Sequence, residues 1–111
     1  MMAEKTAVLM RIFVDEDARL GRATLVDAII SELTRQHCCG ATVLKGIEGF
    51  GVLNQLHTAR SIDIASSLPV LIEVADSEEN IRSVLPRLRE MIGDGLITIE
   101  RIRMRRLGNK T

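Results

Sequence analysis

The sequence predicts an α+β domain, a ferredoxin-like plait with one antiparallel four-stranded sheet and two helices on one face. Three observations predict it. Segments of strand composition and segments of helical period follow one another in the order βαββαβ. Two right-handed crossovers in that order interleave into a single sheet. The chain has 111 residues, enough for one domain around one core.

The elements follow in chain order. Residues 6–14 are rich in β-formers and read as the first strand. Residues 15–23 read as a polar loop. Thr24 can cap a helix, with Asp27 in capping-box spacing. Leu25, Ala28, Ile29 and Leu33 keep a helical period to about Cys38, with Gly40 as the expected stop. Residues 41–47 are a second strand. Residues 68–75 are a third, with Pro69 at a strand start. Ser77 caps the second helix, and Glu78 and Glu79 suit its first turn. Ile81, Val84, Leu85, Leu88 and Ile92 form its apolar stripe, and Pro86 is expected to kink it or end its first half. Residues 96–104 are the fourth strand. The domain core thus spans about 6–104, and the tail 107–111 is expected to fray. A long loop over 48–67 joins strands two and three, and a loop of that length in a compact domain is typically functional or disordered. Ile62 and Ile64 alternate with Asp63, so a short strand is expected in its second half.

Charge and composition exclude several function classes. Basic and acidic residues balance at 15 each. That removes the field that drives non-specific nucleic-acid binding. Phe13 and Phe50 are the only aromatics, which leaves no platform for stacking bases. No apolar run approaches the roughly 20 residues needed to insert in a membrane. Arg11 and the acids Asp15, Glu16 and Asp17 interrupt any signal-peptide reading of the N-terminus. A cytoplasmic location is the default expectation. Cys38 and Cys39 follow His37 but have no distant ligand pair for a metal site. They read as small packing residues near a helix end.

One packing argument points outward. Two helices cover one sheet face, so the other should be polar. Strand one instead places Val8, Met10, Ile12 and Val14 on one face and Ala7, Leu9 and Phe13 on the other, broken by Arg11. Strand three does the same with Leu71 and Ala75. The uncovered face is therefore expected to pack on another subunit.

The candidate site residues cluster around glycines. Gly46, Gly49 and Gly51 close an apolar run, and Gly93-Asp94-Gly95 forms a second group. Glycine allows unusual φ and close approach of a ligand. Each cluster also has a plain reading, as a bulge and turn for the first and as a helix stop for the second. The spacing is not a dinucleotide fingerprint, because no helix opens behind it. His57, without a carboxylate or cysteine at useful spacing, reads as a structural histidine before a catalytic one. Arg101 and Arg103, with Arg105 and Arg106, read as a solvated strand edge or as an anion site. Asp15, Glu16 and Asp17 read as solvated acids before a cation site. No nucleophile–base pair, metal cluster or carboxylate pair supports an enzyme.

Several pieces together carry a resemblance. Ala41-Thr42-Val43-Leu44-Lys45-Gly46-Ile47 with Gly49-Phe50-Gly51, then His57-Thr58-Ala59-Arg60, Ser67-Leu68-Pro69-Val70, Leu85-Pro86-Arg87-Leu88 and Gly93-Asp94-Gly95-Leu96-Ile97-Thr98 form an ordered set. The chain resembles the PII signal-transduction proteins over about residues 7–103. It resembles more closely a PII-like family of small uncharacterised proteins, domain-of-unknown-function family one hundred and ninety. The resemblance implies a homotrimer with its sheets facing inward. It implies a small effector, typically an adenine nucleotide, bound between subunits. It further implies a loop that docks on a membrane transporter, ion channel or enzyme. By the same resemblance, ligand contacts fall on Gly49, Phe50, Gly51, His57, Arg60, Gly93, Asp94 and Gly95, with Arg101 and Arg103 as phosphate contacts. Two departures stand out. Leu96 replaces a phosphate-contacting lysine, and Val52-Leu53 replaces Arg-Gln. The resulting expectation is a non-enzymatic, effector-binding regulatory trimer. The alternative is a ligand-independent structural adaptor, favoured by the apolar Val52, Leu53 and Leu56.

Overall fold

A computed structural model describes residues 4–49, 57–58 and 68–108 of the chain, with residues 49, 57 and 58 described in backbone only. The elements run β1 (Lys5–Asp15), β2 (Arg19–Leu20), β3 (Ala23–Thr24), α1 (Leu25–Arg35), β4 (Thr42–Lys45), β5 (Glu48–Gly49), β6 (His57–Thr58), β7 (Pro69–Asp76), α2 (Glu78–Met91) and β8 (Leu96–Met104). The main sheet has the order β4-β7-β1-β8, with every neighbour antiparallel. This is the predicted plait.

The long central strand β1 sets the register for the rest. Met10 and Ile12 lie opposite Val74 and Ile72 of β7 on one side. They lie opposite Ile99 and Ile97 of β8 on the other. Side chains directly opposite share a face. Met10, Ile12, Ile72 and Val74, with Val8, Val14 and Val70, form the floor of the core, and Ile97 packs against it. Leu25, Ile29 and Leu33 of α1 and Ile81, Val84, Leu88 and Met91 of α2 close it from above. Met10, Ile12, Ile29, Ile72 and Leu88 have no exposed surface. The helical stripes read from the sequence are thus the ones that pack.

Local chemistry explains the ends of the elements, with some departures from expectation. Thr24 caps α1, its hydroxyl accepting from the Asp27 N–H at 3.1 Å, and Ser77 caps α2 through the Asn80 N–H at 3.1 Å. Helix α1 stops at Arg35, well before Gly40. His37 takes the left-handed conformation, φ 61°. The N–H groups of His37 and Cys38 then return to the carbonyls of Thr34 and Leu33. That is a Schellman closure with histidine in the usual glycine position. Helix α2 runs unbroken through Pro86 to Met91. Its buried stripe outweighs the one hydrogen bond that proline removes, leaving the Arg82 carbonyl without its usual donor. The predicted loop at 15–23 contains the β2–β3 ladder, turned by Gly21 at φ 63°. The predicted loop over 48–67 opens with a β5–β6 ladder, and the short strand expected at Ile62 and Ile64 lies outside the described residues.

The uncovered sheet face is apolar at both ends. Leu44, Leu71, Phe13 and Leu96 line up across all four strands at one end. Leu44 and Leu96 are about half exposed. Leu9 and Ala75 extend the patch. Arg11 interrupts it and is held in place, its guanidinium 3.0 Å from Glu73 and 2.8 Å from Glu100.

Among the described residues three carboxylates are buried, Asp15, Glu32 and Asp76, and none was foreseen as such. Asp76 is 2 % exposed. It accepts from the backbone N–H groups of Cys39 at 2.8 Å and Ser77 at 2.7 Å, and from the Asn80 side chain at 3.0 Å. It therefore ties the approach to β4 to the start of α2. Burial pushes its pKa up, but those donors win and hold it below the ordinary carboxylate value. Asp76→Ala leaves three donors without their acceptor and is expected to cost about 2–4 kcal/mol in urea unfolding. A depressed folded pKa stabilises above the ordinary carboxylate value and is lost as pH falls through the folded value. The variant should accordingly show a flatter acid limb in stability against pH.

Candidate functional site

Antiparallel alternation brings four chain junctions to one end of the sheet. There β1 ends at Asp15, β4 ends at Lys45, β7 starts at Pro69 and β8 starts at Leu96. The register fixes this, since Asp15 pairs with Pro69, Lys45 with Val70, and Phe13 with Leu96. Both glycine clusters therefore sit at the same end. They sit at opposite edges, because β4 and β8 are the two outer strands. Three strand spacings separate them, about 14 Å.

At the β4 edge, Gly46 donates its N–H to the Pro69 carbonyl at 2.7 Å. A Cβ on Gly46 would stand 2.8 Å from Pro69 Cγ, so close approach is what requires glycine here. Beyond it, Glu48 and Gly49 pair with Thr58 and His57. His57 is thus a ladder residue in its backbone. Phe50, Gly51 and Arg60 lie outside the described residues. Glu16 joins this corner. Its carboxylate is 2.8 Å from the Lys45 ammonium and accepts the Leu68 N–H at 3.1 Å. The hydrogen bond from Lys45 holds the Glu16 carboxyl below the usual carboxylate range against partial burial. Of the acidic run Asp15-Glu16-Asp17, only Asp17 is the solvated acid expected: Asp15 is buried and Glu16 is paired.

At the β8 edge, Gly93, Asp94 and Gly95 follow the Ile92 cap of α2. Neither glycine has a left-handed φ. Gly95 is needed for space, since a Cβ there would meet Ile92 Cγ2 at 2.6 Å and the Phe13 carbonyl at 3.2 Å. Gly93 faces nothing within 4 Å. Both line a groove of about 710 Å³ between α2 and β8. That is the size range of small-molecule sites. Leu85, Pro86, Ile92 and Ile97 supply apolar lining, and Arg82, Arg89 and Glu90 supply charge of both signs, with Arg82 paired to Glu78. Arg82 and Arg89 escaped the sequence reading. Their signal was the seven-residue spacing that places both on the helix side carrying Leu85 and Pro86.

Arg101 and Arg103 lie elsewhere. Eight residues of strand separate Gly95 from Arg103, roughly 26 Å. Arg103 pairs with Glu4 at 2.6 Å and Arg101 approaches Glu78 at 4.0 Å. Within one chain these arginines do not join the glycine turn. Cys38 is partly buried against the core, as a packing residue should be, whereas Cys39 is exposed. Burial and the nearby Asp76 push both thiols up. Among the described residues no group of three His, Cys, Asp or Glu side chains could hold a metal, and no helix is long and apolar enough to cross a membrane.

The two glycines of the turn should respond differently to one methyl group. Gly95→Ala is expected to lose about 1–3 kcal/mol through overpacking. Gly93→Ala should stay within about 0.5 kcal/mol of the parent. Thermal unfolding of the pair measures the difference.

Comparison with known proteins places this architecture. Residues 7–104 match the DUF190 family, described as Uncharacterized ACR. A UPF0166 protein of Methanocaldococcus jannaschii is 39% identical over 97 residues, covering 84% of this chain and 86% of the relative. A UPF0166 protein of Aquifex aeolicus is 32% identical over 92 residues, covering 83% and 87%. Among solved structures, CPII of Thiomonas intermedia, a nitrogen regulatory PII-like protein bound to ADP, AMP and bicarbonate, aligns with TM-score 0.71. It is 15% identical, and the alignment covers 96% of this chain and 94% of that one. A putative PII-like signaling protein of Thermus thermophilus aligns with TM-score 0.68 at 21% identity, covering 93% of each chain. The chain belongs to the DUF190 family and has the PII-like fold.

Proposed function

We propose that this protein is a non-catalytic regulatory trimer that binds an adenine nucleotide between subunits and controls a partner through the segment that follows β4. The observation that carries the reading is the placement of the two glycine clusters. They share one end of the sheet but stand at its two opposite edges, with β7 and β1 between them, so each is open on its outer side to a neighbouring chain. In a ring of copies, the β8 edge of one chain faces the β4 edge of the next. The strand directions then continue their alternation, and the glycine turn of one chain meets the Lys45–Gly46 corner of its neighbour. Such a heterologous contact closes into a ring when its rotation is a whole fraction of a turn.

The half-exposed leucines of the uncovered face supply the driving force for assembly. The nucleotide class is supported by CPII, which carries ADP and AMP on the same fold. The partner would be a transporter or ion channel or another protein. Regulation follows if nucleotide binds two states of the docking segment unequally. One observation favours the adaptor alternative, a trimer that docks without any ligand. Ile47, beside the loop base, is 76% exposed, as a protein contact would be.

Isothermal titration with ATP, ADP, AMP and cyclic AMP tests the reading, on protein whose mass is first checked by light scattering. The expected result is a trimer that binds at least one of them at about one per chain, with binding lost in Gly93→Trp. A trimer that binds none would replace this reading with the adaptor.

A further inference from the structure

Glu16 occupies an unusual position relative to the segment 46–67. Its backbone N–H donates to the Leu68 carbonyl at 2.9 Å. One carboxylate oxygen accepts the Leu68 N–H at 3.1 Å. The other lies 2.8 Å from Lys45 Nζ. Lys45 is the last residue of β4, and Leu68 immediately precedes β7. A single carboxylate thus clasps the residue just before that segment and the residue just after it.

The two halves of the clasp differ in strength. The Leu68 side is a pair of hydrogen bonds at the sheet end. The Lys45 side is an ion pair with a lysine side chain that is 58% exposed, and such pairs are worth only a few tenths to about 1 kcal/mol. Lysine carries a compact charge on a flexible stem, so its ammonium can move to a stronger anion. Lys45 also sits at the β4 edge, at the end of the sheet where a neighbour's glycine turn would arrive. That turn is followed by Leu96, which brings no charge.

We propose that Lys45 is the phosphate contact of the inter-subunit site and that Glu16 is its resting counter-ion, exchanged when the anion binds. The proposal rests on the nucleotide-binding reading above. It adds a route from ligand to docking segment. Phosphate takes Lys45 away from Glu16, and the clasp then holds the segment only at Leu68. The affinity of the ligand for the exchanged state, less the cost of breaking the resting pair, sets the coupling.

Titration of wild type, Glu16→Gln, Lys45→Met and Lys45→Arg with ADP and with inorganic pyrophosphate decides it. Hydrogen exchange at the Gly46 and Leu68 amides is followed alongside. Glu16→Gln should bind ADP about two- to fivefold more tightly, because the competing carboxylate is gone. Lys45→Met should lose about tenfold or more, and Lys45→Arg should recover most of it. Pyrophosphate should displace ADP from wild type. ADP should speed exchange at Gly46 in wild type, and Glu16→Gln should show the faster rate without ligand.

Wild-type binding retained in Lys45→Met would overturn the inference while leaving the nucleotide reading intact. So would weaker binding in Glu16→Gln, or ADP that pyrophosphate cannot displace. No binding of ADP or pyrophosphate to wild type would overturn the inference, and no binding of ATP, AMP or cyclic AMP either would overturn both. An unchanged Gly46 exchange rate in Glu16→Gln would remove the clasp whatever the nucleotide does.

Discussion

The pairing of β1 with β7 and β8 is the constraint on which the rest depends. An eleven-residue strand with partners on both sides fixes which side chains meet the helices and which do not. It buries Met10 and Ile12 completely. The same register carries Leu9 and Phe13 to the opposite face, away from α1 and α2. A one-residue slip would exchange the two faces and place Arg11 in the core. Core, exposed face and end-of-sheet corners are therefore one decision rather than three.

The charges are placed where that decision leaves risk. Arg11 lies in the middle of an otherwise greasy face and is flanked by Glu73 and Glu100 on the neighbouring strands. A charged group in such a face discourages indiscriminate sheet-to-sheet association, because every partner must also accommodate the cluster. Asp76 performs a related task inside. Four-residue β4 is a short edge strand with all residues exposed, so its own pairing is weak. The Asp76 carboxylate anchors the chain just before it. Glu16 anchors the chain at its other end, through Lys45. The edge that would meet a neighbour is thus held by two carboxylates rather than by core packing.

Much of this was legible in the sequence, and the parts that were not share a cause. Periodicity located the helices and main strands because burial selects apolar residues at fixed spacing. The two-sided pattern of β1 and β7 likewise betrayed the uncovered face. What escaped were contacts between residues distant in sequence. Asp76 with Cys39 and Glu16 with Lys45 and Leu68 are such cases, because a lone acid carries no mark of its partner. His37 closing α1 escaped because propensity favours Gly40, while the Leu33 and Thr34 carbonyls decide the matter locally. Gly95 was read as conformational freedom, but the structure requires it for space against Ile92. At the site, the sequence located both glycine clusters. It could not show that they stand at opposite edges, because that depends on sheet order. Arg101 and Arg103, phosphate contacts by resemblance, lie far from the turn of their own chain because the length of β8 intervenes.

The central claim is that two chains build each ligand site, one giving the β4 corner and the other the glycine turn. Mixing two binding-defective variants tests it directly. Lys45→Met damages the first half and Gly93→Trp the second. Each alone should bind ADP at least about tenfold more weakly than the wild type, so at a concentration just sufficient to fill wild-type sites most of its sites stay empty. Unfolded together and refolded as an equal mixture, they should regain about a quarter of the sites, because a heterologous ring pairs intact halves from different chains at that frequency. A mixture as inactive as its parents would mean that each site belongs to one chain, and the account would fail.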